Sequence, residues 1–574
     1  MKMSKRRSRS FDPRDVATRL NEALSCDLWP LSYVYEGSGK PECFYPYRQA
    51  TEFLKKFSVD DKHQLEELVK LTFDKFHTVN GHMSDYREIE GLPNKNDRIQ
   101  SWTPFFQKVM LRARALMHFV LTDFDEDEWF NATKHGTGSS IGVKYHDTSL
   151  EAKWELPLTV TQRAKPLLER YLSWDFQTHE ALGLKNRECQ IFKIVAGSRA
   201  TTVPKNNDIR RFICVEPTGN MFLQQGLMQM LYKRMKLVGL DVESLPEMHR
   251  LLAWAASIDG REATIDWSSA SDCTSIGLLR WLSPPKWFGV LDMVRCSQME
   301  IDSTWTQLNM FSTMGNADTF PLETLVFWTL AHAVKLSLEP GNSLLPEWED
   351  IKAVSVFGDD CIVPSYMANE FIECCVRVGY IINSEKSHID ITDKFRESCG
   401  GDFLAGHNCR PFNLKAPPRQ RLSDLAPWLY SSWNILLKKY KMCFGELTYV
   451  YDKELFRTFF ELFQEYGIKI RIVPEDYPED SGLQIGDELA RWQTAYRFKF
   501  EPILVSKQGT CIFHYLKFQY KESEKWNEEL RYVDALKRSL PHSIRPPIHE
   551  YKTRRVGGYV VAKGISCHWS VLTR

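Results

Sequence analysis

The sequence lacks three features that would place it in other classes of protein. No apolar run approaches the roughly 20 residues that cross a bilayer, and the basic start, Met1–Ser10, lacks the apolar stretch of a signal peptide. The chain has 14 cysteines but no Cys-x-x-Cys pair. These absences argue against a membrane protein, a disulfide framework and a zinc site, and they predict reduced thiols in a cytoplasm.

The chain also lacks a net charge, because its 574 residues include 74 Lys or Arg and 74 Asp or Glu. Binding to a polyanion would therefore depend on local patches and on the N-terminal arm Met1–Ser10, which we expect to be mobile and to contact nucleic-acid phosphates. The acidic patches are Asp123–Glu128 and Glu475–Asp480, and the basic ones are Lys205–Arg211, Lys438–Lys441 and Lys552–Arg555.

Two adjacent carboxylates, Asp359 and Asp360, follow Gly358 between two short apolar runs in residues 354–363. This pattern predicts a β-hairpin whose glycine turn presents both carboxylates at its tip. Neighbouring carboxylates repel each other, and a divalent cation with oxygen ligands is the usual compensation. A polar hairpin turn is the alternative, unless a second carboxylate group lies nearby.

A second group is present at residues 263–275, where Asp266 follows the predicted end of a strand. Ser271 or Asp272 is expected to cap the helix that follows. Asp266 has no such local role. One carboxylate at a strand end and two on a hairpin suit two magnesium ions about 3.5–4 Å apart.

Three further segments carry polar groups. Ser312, Thr313 and Asn316 surround a glycine at a loop-to-helix junction, with Pro321 tolerated in the first helical turn. The second segment contains Lys205, Arg210 and Arg211 around a polar turn, and the third contains Lys386 after an apolar segment. When each segment is taken alone, the alternatives are a capped helix start for the first, a basic surface hairpin for the second and a surface lysine for the third.

In chain order, the segments resemble motifs F, A, B, C and D of viral RNA-dependent RNA polymerases: the basic turn, the strand end with Asp266, the loop with Asn316, the hairpin with Asp359 and Asp360, and the loop with Lys386. The strings Thr-Val-Pro-Lys-Asn, Ser-Ala-Ser-Asp, Ser-Thr-Met-Gly-Asn, Phe-Gly-Asp-Asp and Phe-Arg-Glu-Ser-Cys-Gly are similar to those of levivirus-type (Q-beta-like) single-stranded RNA bacteriophage replicases, in their catalytic beta subunit. The resemblance covers about residues 200–415. It departs from the family at Ala317, Asp318 and Pro321, and at Asp208 and Arg210, so that Lys205 and Arg211 carry over from the basic motif.

The resemblance implies an α+β, right-hand polymerase fold with an antiparallel palm sheet backed by helices. We expect the N-terminal region and fingers at residues 1–250, the palm with inserted finger segments at 251–410, and the thumb and C-terminal region at 411–574. Apolar periodicity predicts helices at Gln64–Phe76, Phe105–Val120, Trp428–Lys441 and Lys453–Tyr466, and the tail Tyr551–Trp569 resembles a terminal hairpin. The segments Ser283–Thr306 and Glu339–Glu347 are expected as excursions from the palm.

The resemblance also implies a site and a reaction, nucleotidyl transfer from NTPs on an RNA template. The expected catalytic residues are Asp266, Asp359, Asp360 and Lys386, of which the three aspartates would bind two Mg²⁺ ions, with Mn²⁺ as a substitute. Lys205, Arg211, Ser271, Asp272 and Asn316 are expected to bind the NTP, and Ser312, Thr313 and Gly315 the RNA template. Asn316, with Ser271 or Asp272, would read the 2′-hydroxyl.

Members of this family act with host elongation factors Tu and Ts and a host ribosomal RNA-binding protein, in the bacterial cytoplasm, so the resemblance implies the same partners here. Two other functions stay open. A reverse transcriptase shares the palm carboxylates but typically has Ala where Gly358 stands, and a non-catalytic RNA-binding subunit could retain a decayed palm.

Overall fold

The computed structural model describes residues 11–58, 62–87, 102–144, 147–184, 190–206, 208–339, 353–417, 419–445, 453–484, 501, 503–505, 511–521, 527–539 and 553–566. The N-terminal arm Met1–Ser10 and most of the segment expected at 339–347 lie outside these residues. Helices and strands both contribute widely, so the fold is α+β as the sequence predicts. No helix in the described ranges has the length and apolar character needed to cross a bilayer.

Seventeen α-helices are described. They are α1 Pro13–Ser38, α2 Phe44–Glu52, α3 Lys62–His82, α4 Pro104–Leu121, α5 Glu126–Ala132, α6 Leu150–Lys153, α7 Lys165–Trp174, α8 Phe176–Ala181, α9 Thr218–Leu237, α10 Leu245–Asp259, α11 Ile276–Leu282, α12 Pro285–Val294, α13 Thr319–Leu338, α14 Ala368–Arg377, α15 Leu422–Phe444, α16 Lys453–Glu465 and α17 Glu528–Ser539. The four helices predicted from periodicity are confirmed as α3, α4, α15 and α16.

The described strands form six small sheets. They are β1 Leu158–Thr161, β2 Phe192–Val195, β3 Ser198–Pro204, β4 Arg210–Val215, β5 Glu262–Ile265, β6 Gln298–Ile301, β7 Thr304–Gln307, β8 Ser355–Phe357, β9 Asp360–Pro364, β10 Phe395–Ser398, β11 Gly401–Leu404, β12 His407–Asn408, β13 Ile472–Val473, β14 Leu483–Gln484, β15 Leu504–Val505, β16 Cys511–Lys521 and β17 Thr553–Ser566. The sheet orders are β1-β2, β4-β3-β6-β7, β5-β9-β8, β10-β11-β12, β13-β14 and β15-β16-β17.

The central sheet is antiparallel, with β9 between β5 and β8. Ile265 pairs with Cys361, and Phe357 pairs with Asp360 across the hairpin turn. Helix α13 packs behind this sheet and is buried along nearly its whole length. A helix that is apolar on every side belongs inside a core, and α13 therefore fixes the sheet from its inner face.

The predicted basic hairpin is confirmed as the antiparallel pair β3–β4. It continues into a four-stranded sheet, because β3 also pairs with β6 in parallel at Ser198 and Met299. The segment Ser283–Thr306, expected as an excursion, therefore supplies α12 and β6 and braces the basic hairpin from its other edge.

The buried residues form two hydrophobic clusters. The larger surrounds α4, α9 and α13, and the smaller joins α1 to α15 and α16. The Asp27 carboxylate of α1 accepts the backbone N–H groups of Glu454 and Leu455 at 3.1 and 2.8 Å, which satisfies the first turn of α16. The beginning of the chain thus packs against its C-terminal third, although the proposed boundary at residue 250 separates them by sequence.

Two local predictions are wrong. The tail does not form a hairpin of its own, since β17 is one long strand that pairs with β16 from Cys511 onward. Neither Ser271 nor Asp272 caps a helix. Ser275 caps α11 instead, and its hydroxyl accepts the N–H of Leu278 at 3.0 Å, because a 3₁₀ turn at Ala270–Asp272 delays the helix.

Candidate active site

The three predicted carboxylates line one open cleft of about 930 Å³. Asp266 directly follows β5, while Asp359 and Asp360 form the end of the β8–β9 turn. Since β5 and β9 are hydrogen-bonded neighbours, the strand end and the hairpin tip meet at the same edge of the sheet. These residues are far apart in the sequence, and strand pairing alone brings them together.

Gly358 makes the turn possible. Its φ of 63° is one that glycine adopts without strain. Its N–H donates to the Thr324 hydroxyl of α13 at 2.9 Å. A Cβ at this position would lie 2.7 Å from a ring carbon of Phe320, so alanine could not enter without movement of the ring. This contact disfavours the reverse-transcriptase pattern, which places Ala here.

Asp266 is held by the loop that carries Lys386. The Asn383 amide donates to Asp266 Oδ2 at 2.5 Å, and the Asp266 backbone N–H donates to the Ser387 hydroxyl at 3.1 Å. Asn383 was not among the predicted site residues. Its place in the loop after the apolar segment gave no sign that its amide would orient a carboxylate.

The hairpin carboxylates are difficult to ionise together. Burial raises the pKa of Asp359, and the Asp266 carboxylate raises it further, while Lys386 and Lys205 act in the opposite direction. Burial and the neighbouring Asp359 raise the pKa of Asp360 to about 7, although the Cys399 N–H donates to its Oδ2 at 3.2 Å. A site of this kind favours a bound cation, because the cation would offset the mutual repulsion.

Hard oxygen ligands of this type suit Mg²⁺. Within the described ranges, no three Asp, Glu, His or Cys side chains already form a closed ligand set. The aspartates are therefore suitable in chemistry and in placement, and a metal with its substrate phosphates would have to draw them together.

Basic side chains face the carboxylates across the cleft. Lys205 directly follows β3, and burial, Lys386 and Arg211 lower its pKa, whereas Asp266 and Asp359 raise it. Arg211 is exposed at the same opening. Arg210 differs, because its guanidinium donates across the hairpin to the Thr202 hydroxyl at 2.8 Å and carbonyl at 3.1 Å. The structure therefore gives the two adjacent arginines different surroundings.

The loop before α13 brings only part of its predicted set to the cleft. Gly315 and Asn316 line it, whereas Ser312 and Thr313 are buried outside it. Gly315 has a φ of 128°, and a Cβ there would lie 2.1 Å from the Cys214 carbonyl oxygen. This close approach fixes the loop against β4, where the Cys214 N–H donates to the Met314 carbonyl at 2.8 Å.

Ser271 and Asp272, which the sequence assigns to NTP binding, both line the cleft, and so do side chains outside the predicted set, among them Glu323 of α13 and Lys75 of α3. Burial raises the pKa of Asp272 to about 7 and that of Glu323 well above its usual range, the latter with a contribution from Asp359. Glu323 lies one helical turn after Thr319, the first residue of α13, so its place beside the cleft depends on where that helix begins, which the sequence pattern does not show.

Comparison with known proteins identifies the family to which the chain belongs. A model described as "RNA replicase, beta-chain" matches residues 38–432. The chain is 33% identical over 324 residues to the RNA-directed RNA polymerase beta chain of Escherichia phage MS2, covering 56% of each chain. It is 33% identical over 264 residues to the RNA-directed RNA polymerase subunit beta of Escherichia virus Qbeta, covering 46% of this chain and 41% of that one.

The chain therefore spans about half the length of the curated relatives it matches. A crystal structure of an insertion-loop deletion mutant of the RNA-dependent RNA polymerase of a human picobirnavirus is similar at a TM-score of 0.43 and 12% identity, over 78% of this chain and 85% of that one. That similarity is too low to carry an argument.

Proposed function

Because the chain belongs to the RNA replicase beta-chain family, we propose that it is an RNA-dependent RNA polymerase that replicates and transcribes a single-stranded RNA phage genome. The observation that carries the proposal is the convergence of Asp266, Asp359 and Asp360 with Lys205 and Arg211 in one open cleft. Carboxylates for metal ions facing cations for phosphates are the parts that phosphoryl transfer requires.

In this proposal Asp266 and Asp359 hold two Mg²⁺ ions, with Asp360 in support, and Mn²⁺ can substitute. When bound, such ions neutralise the triphosphate and lower the pKa of the attacking 3′-hydroxyl. Asn383 keeps Asp266 oriented for this task. The raised pKa of the hairpin carboxylates is consistent with a site that is completed by positive charge.

The basic residues bind and neutralise the substrate. Arg211 is exposed and suited to bidentate contact with phosphate oxygens, while Lys205 lines the cleft close enough to Asp266 and Asp359 for their charges to raise its pKa. Lys386 is close enough to Asp359 and Lys205 to affect the pKa of each, and we assign it as the general acid that protonates the leaving pyrophosphate. Ser271, Asp272 and Asn316 line the part of the cleft where we place the ribose.

We assign the palm to the β5–β9–β8 sheet with α13 and α14, the fingers to the basic hairpin with the helices before it, and the thumb to α15 and α16. The template would follow the side of the cleft that Gly315 lines. Ser312 and Thr313 would support that side from beneath, because they are buried.

The relatives are named as beta chains, which fits a subunit that works with other proteins. We propose RNA template, nascent RNA and NTPs as ligands, and host elongation factors Tu and Ts with a ribosomal RNA-binding protein as partners, in the cytoplasm of the host bacterium. Zero net charge is consistent with a subunit that obtains part of its RNA affinity from partners.

The test is Mg²⁺-dependent incorporation of NTPs on an RNA template by the purified protein, with and without bacterial Tu and Ts. RNA-templated synthesis from NTPs, in preference to dNTPs, is the expected result. Preference for dNTPs would instead support a reverse transcriptase. Binding of RNA with no synthesis under either condition would support the non-catalytic subunit.

A further inference from the structure

His249 is a buried histidine whose two ring nitrogens both hydrogen-bond to serines of neighbouring strands. It lies on α10 and is fully buried. Its Nδ1 lies 2.9 Å from the Ser398 hydroxyl of β10, and its Nε2 lies 2.9 Å from the Ser355 hydroxyl of β8. Burial lowers its pKa to about 4, so the ring is neutral at neutral pH and donates through one nitrogen while it accepts through the other. One imidazole therefore joins α10, β8 and β10.

On one side, the His249 ring supports the hairpin that carries two of the carboxylates. Ser355 is the first residue of β8, the strand that leads into the turn at Gly358. The ring also packs edge-on against Phe357, with 6.2 Å between ring centroids. Phe357 in turn pairs with Asp360 across the hairpin turn. His249 thus contacts the first strand of this hairpin at two positions.

On the other side, Ser398 leads to the second carboxylate of the hairpin. Ser398 ends β10, and the next residue, Cys399, donates its N–H to Asp360 Oδ2 at 3.2 Å. Burial and Asp360 raise the pKa of the Cys399 thiol, whereas the Ser398 hydroxyl lowers it, so the thiol is close to both groups. Cys399 also lines the cleft. A continuous path of contacts therefore runs from the imidazole of His249 to the Asp360 carboxylate.

Cys399 holds a backbone conformation that ordinary side chains rarely adopt. Its φ is 46°, and that of Gly400 is 76°, in the two-residue turn between β10 and β11. Positive φ at both central positions is typical of a type I′ hairpin turn, which favours Asn, Asp and Gly. Because cysteine is unfavourable in this conformation, surrounding contacts must maintain it. The bond from the Cys399 N–H to Asp360 and the bond between Ser398 and His249 are contacts of this kind.

We propose that His249 is a positioning residue for Asp360. This inference rests on the proposed polymerase function, in which Asp360 supports the metal ions. The ring fixes Ser398, the turn that follows places the Cys399 N–H, and this N–H limits rotation of the carboxylate. Ser355, bonded to the opposite nitrogen, keeps the ring from turning. Groups that orient a carboxylate at a metal site act in this way, and their loss lowers metal affinity or activity by roughly 10–100-fold.

The experiment measures Mn²⁺ affinity by electron paramagnetic resonance, and kcat and KM for NTP incorporation, on the full chain. His249→Phe keeps an aromatic ring but removes both hydrogen bonds, and Ser398→Ala removes only the bond on the side of Asp360. Each should weaken Mn²⁺ binding and lower kcat by roughly tenfold. KM for NTP should stay within about threefold, because the basic residues of the cleft are unchanged. His249→Gln retains a donor and an acceptor, so it should recover part of both losses.

Ser257→Ala is the matched control for Ser398→Ala. Ser257 also lies on α10 and is fully buried, and its hydroxyl accepts the Gly406 N–H at 2.9 Å, which joins the helix to the turn between β11 and β12. It does not line the cleft. Its replacement should lower the melting temperature but leave Mn²⁺ affinity and kcat unchanged. The comparison separates positioning of the carboxylate from the general loss of a buried hydrogen bond.

A double variant tests whether the effect passes through Asp360. Adding Ser398→Ala to Asp360→Asn should cause no further loss of Mn²⁺ affinity, because the carboxylate that Ser398 helps to position is already absent. An equal loss with and without that carboxylate would overturn the proposal, and so would normal Mn²⁺ affinity in Ser398→Ala. Absence of all synthesis by the unmodified protein would instead defeat the polymerase proposal, whereas the Mn²⁺ measurement needs no turnover and decides the role of His249 by itself.

Discussion

Phe320 packs against Gly358, with one ring carbon 2.7 Å from the position that a Cβ would take. The contact joins the first turn of α13 to the tip of the β8–β9 hairpin, which carries Asp359 and Asp360. Phe320 also packs edge-on against Phe357, at 4.7 Å between ring centroids. One aromatic residue, Phe320, therefore packs against both Phe357 and Gly358 of the hairpin.

Gly358→Ala should reduce both stability and synthesis. The new Cβ meets the Phe320 ring, and the positive φ is unfavourable for alanine, so we expect a loss of about 1–3 kcal/mol in unfolding free energy. Chemical denaturation and single-nucleotide incorporation measure the two effects. Adding Phe320→Leu should restore part of the loss, and strict additivity of the two changes would contradict the contact.

Asp359→Asn should abolish nucleotide incorporation while RNA affinity stays close to normal, because the carboxylate is proposed to bind metal and not RNA. Asp266→Asn should behave in the same way, and Asp360→Asn should be milder. Filter binding and primer extension separate the two properties. Near-normal elongation by Asp359→Asn would remove the metal assignment of the hairpin.

Asn383→Ala should lower kcat by roughly 10–100-fold, the usual cost of losing a group that orients a metal ligand. Its amide donates to Asp266 Oδ2, and without this bond the carboxylate is free to rotate. Asn309→Ala is a suitable comparison, because its amide donates to the Asn80 carbonyl away from the cleft. An Asn383→Ala protein with normal kcat and normal Mg²⁺ dependence would show that Asp266 is oriented by other contacts.

The convergence of the carboxylates could be predicted from the sequence because each aspartate adjoins a short strand or turn with a clear local signal. Glu323 could not be assigned in this way. Its distance from Asp272 depends on where α13 begins and on the 3₁₀ turn that moves the cap of α11 from the predicted positions to Ser275. Sequence propensity does not resolve a shift of about three or four residues at a helix start.

Contacts between residues far apart in the chain could not be predicted from the sequence either. Nothing in the pattern of α1 shows that Asp27 satisfies the first turn of α16, or that Arg19 reaches Glu465 at 2.8 Å. Likewise, Arg210 and Arg211 look equivalent as residues, and only the register of β3 with β4 shows which one crosses the hairpin. Such choices are made by tertiary contacts, which local sequence does not encode.

The two arginines should respond differently to replacement. Arg211→Ala should raise KM for NTP with little effect on stability, because its side chain is exposed at the cleft. Arg210→Ala should mainly lower stability, by about 0.5–1.5 kcal/mol, through the loss of its bonds to Thr202. Steady-state kinetics and thermal unfolding distinguish them, and a larger KM effect in Arg210→Ala would reverse the assignment.

Asp360 makes the stability of the metal-free protein depend on pH. Its pKa is raised from 3.8 to about 7 in the folded state, mainly by burial. Between these values the folded state binds more protons than the unfolded state, so this group lowers stability as pH rises from about 4 to about 7. Asp360→Asn removes the titrating group. The difference in melting temperature, variant minus unmodified protein, should therefore grow as the pH rises from 5 to 8. Thermal melts in EDTA measure the difference. Excess Mg²⁺ should reduce it, because a bound cation stabilises the ionised carboxylate that Asn lacks. A difference independent of pH would show that Asp360 ionises in the folded protein as easily as in water.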